Sequence, residues 1–98
     1  MGTSLVFAAT VFEWRGPAPF HFVAIEGDLA EEIRDQAAAV TYGWGMVPVS
    51  CTIGATSFTT SLWPKGDKYY LPLKDAVRHA EDIELDDDIT VDLRLRSR

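Results

Sequence analysis

Three observations predict an α+β fold that is mainly β. Six short segments are rich in β-branched and aromatic residues, two stretches repeat apolar residues at helical spacing, and Gly or Pro falls at the breaks between them. Six strands and two short helices within 98 residues imply a sheet that curls into a small barrel. That length holds one domain, residues 1–98, because cores are built in units of roughly 100–150 residues. With 47% hydrophobic and 24% charged residues the chain lies near the globular averages, which excludes disorder, collagen-like repeats and a fibrous coil. Ordering the backbone is costly, so the three Trp, five Phe and three Tyr are expected to be chiefly core material.

Residues 5–14 are β-rich and apolar on both parities, with Leu5, Phe7 and Val11 on one and Val6, Ala8 and Phe12 on the other. That pattern predicts a central strand covered on both faces. Gly16, Pro17 and Pro19 end it, and residues 20–25 return as the second arm of an antiparallel hairpin. Asp28 reads as an N-cap with Glu31 three residues on, followed by Leu29, Ile33, Ala37 and Val40 at helical spacing, and this first helix stops near Gly43. Residues 46–53 and 56–62 are two strands joined by Gly54-Ala55, a two-residue loop that suits a type II′ turn. The loop sets the register: Ile53 opposite Thr56, Cys51 opposite Phe58, Val49 opposite Thr60 and Val47 opposite Leu62. One face is then apolar, and the other carries Ser50, Thr52, Ser57, Thr59 and Ser61 without a charge. Residues 63–67 read as a turn, residues 69–71 as a short strand, and Leu73, Val77 and Ala80 as a second helix after Pro72. Ile89, Val91, Leu93 and Leu95 alternate with polar residues in a half-buried last strand.

Nine basic against fifteen acidic residues leave a net charge of -6 and a pI near 4.7, which repels phosphate backbones and argues against nucleic acid as a partner. The single cysteine, Cys51, forms no intramolecular disulfide, and the first residues lack a basic flank and apolar core of a signal peptide, so the cytoplasm is the expected location. Residues 36–64 carry no charge but are interrupted by glycines, Pro48 and hydroxyls, so no membrane span is expected.

Ile53-Gly54, Ser61-Leu62-Trp63-Pro64-Lys65 and the run Tyr70-Leu71-Pro72-Leu73-Lys74-Asp75-Ala76-Val77-Arg78 stand in the order S-L-x-P, Y-x-P-x-K, A-V-R. With Gly43-Trp44-Gly45 and Val47-Pro48-Val49, they resemble the bacterial DUF1905 family, a domain of unknown function, over nearly the whole chain. The resemblance implies a small six-stranded barrel of the double-split type, akin to swapped-hairpin transcription-factor barrels, with no established reaction or ligand. The family usually has glycines in the turn before the last strand, where this chain has Asp82 and Asp87, residues that tolerate left-handed backbone better than most.

Residues 65–78 are the only internal stretch with a basic excess. Lys74 and Arg78, four apart on a helix face, with Lys65, Ser61 and Tyr70 nearby, are candidates to hold a carboxylate or phosphate. The plainer alternative is a solvated face in which Arg78 pairs with Glu81 or Asp82. Trp44, between two glycines, is a candidate stacking residue or else a turn whose indole covers the barrel end. His21, His79, Cys51 and Asp75 show no metal-ligand or nucleophile spacing, so no metal, cofactor or catalytic residue is predicted, and Cys51 is expected to face the core as an inert thiol. The acidic run from Glu81 to Asp88 lacks the order of a calcium loop and reads as a solvated turn. Arg94, Arg96 and Arg98 are either a basic stripe for an acidic partner or neutralised by that turn. The function these features suggest first is a non-enzymatic module binding a small polar or anionic ligand. A protein-interaction or homodimerisation module using the uncharged hairpin face comes second, and an enzyme third.

Overall fold

The computed structural model describes residues 4–14, 20–38 and 45–96. The strands are β1 (Leu5–Thr10), β2 (Phe12–Trp14), β3 (Phe20–Ile25), β4 (Val47–Ile53), β5 (Thr56–Lys65), β6 (Lys68–Leu73) and β7 (Asp88–Leu95); the helices are α1 (Gly27–Ala37) and α2 (Asp75–Ala80). All pairings are antiparallel, in the order β1-β7-β4-β5-β6-β3-β2. The two ends of that order are halves of one run separated only by Val11, so the sheet curls until its first and last members meet in one bent strand. β5 makes the other corner, where residues 56–62 pair with β4 and residues 63–65 with β6. This is the small, mainly β barrel with two short helices that the sequence predicts.

The bend at Val11 is tied from outside the ladder. Its side chain is fully buried, its N–H donates to the Asp87 carbonyl at 2.9 Å, and its own carbonyl accepts the Asp86 N–H at 2.9 Å. The turn before β7 therefore serves as the corner's hydrogen-bond partner, as a buried backbone requires. Asp82 (φ 53°) and Asp86 (φ 70°) take the left-handed conformation there, so one of the two aspartates expected in it is shifted by one position. Asp87 instead turns its carboxylate back to accept the Glu84 N–H at 2.8 Å.

The interior is aliphatic. Val11, Val23, Ile25, Val47, Val49, Leu62, Leu71, Val91 and Leu93 are buried in one cluster, and α1 packs Ala30, Ile33 and Ala37 onto it. Each buried Val, Leu or Ile side chain contributes roughly 1.5–3 kcal/mol by leaving water. The expectation that the aromatics are chiefly core is overturned: Tyr69 is the one ring within the buried cluster, Phe7 and Phe58 pack at its margin, and the other described rings lie on the outside of β2, β3, β5 and β6. Residues 5–14 are likewise not a central strand covered on both faces. They form both ends of the strand order, and Val6 is 64% exposed.

The β4–β5 hairpin has the predicted register at all four pairs. Gly54 has φ 58° while Ala55 does not have a positive φ, as a type II′ turn demands. Elsewhere local signals were overridden. Glu26, not Asp28, precedes α1, and it makes no side-chain cap; Asp28 lies inside the first turn, where its charge suits the helix dipole. Residues 63–65 continue β5 and the turn is Gly66-Asp67. β6 runs on through Leu73, so Pro72 and Leu73 belong to a strand and α2 begins only at Asp75. Val40 and the expected helix end at Gly43 lie outside the described residues.

Two tests follow from this packing. A Cβ on Gly54 would strike the Glu81 carboxylate, which accepts hydrogen bonds from Thr56 Oγ1 at 2.6 Å and the Ala55 N–H at 3.3 Å, whereas Gly66 (φ 63°) has open space around it. Gly66→Ala carries only the left-handed penalty of about 1–2 kcal/mol. Gly54→Ala is expected to lose about 1 kcal/mol more in urea unfolding, through the disturbed Glu81 bonds; equal losses would contradict the Glu81 tie. Cys51 is 2% exposed, and burial, assisted by the charge of Asp92, pushes its thiol from 9.0 up to about 12. The folded state holds the thiol proton more tightly than the unfolded chain, so this contribution to stability is complete below pH 9 and is lost as pH rises towards 12. The decline amounts to at most about 1.4 kcal/mol per pH unit. Cys51→Ala should flatten that decline in unfolding measured from pH 8 to 11, and parallel curves would refute the burial.

Candidate functional site

Strand parity sends Phe12, Trp14, Phe20, Phe22, Trp63 and Tyr70 to the outer face of β2, β3, β5 and β6. Cross-strand register assembles them: Phe12 lies opposite Phe22, Trp14 opposite Phe20, and Trp63 opposite Tyr70. Phe22 is the buried centre, with Trp63 edge-on at 5.2 Å between centroids and Tyr70 at 5.7 Å, while Phe12 meets Tyr70 edge-on at 5.1 Å. At the rim Trp14, Phe20 and Trp63 remain 41%, 46% and 40% exposed. These three exposed rings make this face a candidate interaction surface. Lys65 holds its ammonium 4.7 Å from the Trp14 ring centroid, a cation–π contact at the edge of this face.

A cleft of about 570 Å³ opens beside Trp63 and Phe20, where β3 begins and β6 ends. Trp63, Phe20 and Pro72 supply its apolar lining; Lys74, the residue before α2, and Asp75 and Arg78 of α2 supply its charged lining. His21, Thr60, Leu73 and Ala76 complete its lining. Arg78 is the site's most constrained ion, its side chain 18% exposed. One terminal nitrogen bonds the Asp75 carboxylate, and its Nε is buried without a hydrogen-bond partner. A donor so placed costs about 1–3 kcal/mol until an acceptor meets it. Lys74 Nζ reaches only the Thr59 carbonyl, at a long 3.4 Å. Lys74, Arg78 and Asp75 together give this cleft one net positive charge (+1 +1 -1) in a protein of net charge -6.

The six predicted ligand residues are not gathered in one place. Lys74 and Arg78 line the same cleft. Lys65 and Tyr70 lie on the far side of Trp63, around a smaller hollow of about 230 Å³. Ser61 lines neither hollow, and Trp44 is outside the described residues. Arg78 pairs with Asp75 rather than with Glu81 or Asp82, because Glu81 is engaged by the Gly54-Ala55 turn. Trp63 and Phe20 are the residues that sequence reasoning passed over. The available signal was parity, since Trp63 falls in the same outward row as Ser57, Thr59 and Ser61.

Other candidates resolve more simply. The alcohol row of the β4–β5 hairpin lines a shallow groove of about 410 Å³, where Thr52 and Ser57 share a 2.9 Å hydrogen bond and Asp92 and Arg94 of β7 bring charge to its border. Arg94 donates through Nε to Ser4 Oγ at 2.8 Å. Thr10 of β1 donates to Asp88, its partner on β7, at 2.6 Å, while the Asp87 carboxylate serves its own turn by accepting the Glu84 N–H. Among the described residues no group of three His, Cys, Asp or Glu is placed to hold a metal, and no helix is long and apolar enough to cross a membrane. The protonated, buried Cys51 cannot serve as a nucleophile near neutral pH.

No curated protein matches the chain at a significant level. The family profile described as a domain of unknown function, DUF1905, matches residues 7–93. That match takes in β7 as far as Leu93, both corners of the barrel and both walls of the cleft, and the chain belongs to the DUF1905 family.

Proposed function

We propose that this protein is a non-enzymatic binding module whose cleft between Trp63 and Arg78 takes a small anionic ligand. The observation that carries this reading is the placement of two cations, Lys74 and a largely shielded Arg78, in the lining of one cleft. A carboxylate or phosphate oxygen in the cleft would be met by the part of the Arg78 guanidinium that lines it, and Lys74 lines the same cleft to share the charge. The volume falls within the roughly 300–1,000 Å³ of ordinary small-molecule sites. A second reading, an interaction module that pairs with another chain or a second copy, draws on the three exposed rings Trp14, Phe20 and Trp63. Native mass spectrometry separates the two, by a retained small molecule in one case and a concentration-dependent dimer in the other.

The direct test is thermal unfolding in acetate or phosphate against chloride of equal ionic strength. At ten times its Kd a ligand adds about 1.4 kcal/mol, which moves the Tm of a domain this size by roughly 5–10 °C. The upshift is expected for the unaltered protein and should vanish in Arg78→Gln, each protein being compared with its own chloride baseline. No upshift with any anion would overturn the reading.

A further inference from the structure

From the make-up of the cleft's two walls, and resting on the anion-binding reading above, we infer that its ligand is a planar aromatic monocarboxylate, the ring lying along Trp63 and Phe20 and the carboxylate meeting Arg78 and Lys74. Two independent observations lead there. The first is charge. Asp75 already neutralises one of the two cations, so a single negative charge balances the cleft, whereas a phosphate dianion would leave an uncompensated charge against Asp75 in a protein that is acidic overall. The second is shape. Trp63 and Phe20 stand at 63° to one another with centroids 6.2 Å apart, forming an angled aromatic wall with Pro72 beside it, and both rings keep about two-fifths or more of their surface open to solvent. A flat ring set against such a wall gains edge or offset contacts and covers apolar surface that is otherwise wet. A small inorganic anion gains neither. The charged residues Lys74, Asp75 and Arg78 all come from the α2 side, while Trp63, Phe20 and Pro72 come from the strands, with His21 and Thr60 as further polar groups there, so the ligand carries its charge at one end.

The test is titration by calorimetry and tryptophan fluorescence with four probes: indole-3-acetate, its neutral isostere indole-3-acetamide, acetate and inorganic phosphate. Indole-3-acetate should bind at least about tenfold tighter than acetate, the factor that ring stacking of roughly 1.4 kcal/mol supplies. It should also exceed indole-3-acetamide and phosphate by a similar factor. Trp63→Leu, at a position already part-exposed, should bring the affinity for indole-3-acetate down to that variant's own affinity for acetate. Phe20→Leu supplies the same comparison should Trp63→Leu not fold. Acetate and indole-3-acetate binding equally would overturn this inference and leave the anion reading standing. No binding of any carboxylate or phosphate would overturn both. Indole-3-acetamide binding as tightly as indole-3-acetate would show that the rings, and not Arg78 and Lys74, select the ligand, and the proposal would fall.

Discussion

The structure depends on the closure of a narrow sheet by two strands that change partners part-way along. The strand bent at Val11 joins β7 to β3, and β5 joins β4 to β6. A barrel of so few strands encloses a space that side chains alone fill. Here the filling is Val, Leu and Ile, with Tyr69 among them. Apart from Phe58 at the margin of the core, the remaining rings on β2, β3, β5 and β6 take the outward parity, where they pack around Phe22 and leave Trp14, Phe20 and Trp63 at the rim. The candidate site follows from that division. β5 turns its corner at Leu62 and Trp63, and the cleft opens where the outer rings meet the start of α2.

Much of the fold was legible because some local signals admit only one geometry. A two-residue loop beginning with glycine fixes every pair of the β4–β5 hairpin, and strict alternation from Ile89 to Leu95 places Val91 and Leu93 inside. Residues 5–14 were misread because apolar residues on both parities fit two structures equally: a strand covered by other elements, and an outer face whose aromatics cover themselves. The prolines misled in a common way. Pro64 and Pro72 read as breakers, yet at those points β5 pairs only with β6 and β6 only with β3. A missing N–H is tolerated where a strand has one neighbour.

The site was half legible. The spacing of Lys74 and Arg78 brought out its polar wall, because that relation is local to one stretch of chain. Its aromatic wall was not visible, because Phe20 and Trp63 become neighbours only through the β3–β6–β5 pairing, and no sequence interval encodes it. Lys65 and Tyr70 were grouped with the helix cations by closeness in sequence, but Trp63 stands between them and the cleft. Charge proved informative at the scale of the cleft rather than of the chain: this cleft is net positive in an acidic protein, and Asp75 limits how positive it is.

Closure at Val11 is the claim on which the outward placement of the rings, and so the site, rests. Amide hydrogen exchange measured residue by residue tests it most directly. The Val11 N–H, bonded to Asp87, should be protected to the same degree as the amides of Val49 and Leu93 within the sheet. Exchange at Val11 as fast as at the Gly66-Asp67 turn, with Val49 and Leu93 still protected, would mean an open sheet with two free edges and would contradict this account.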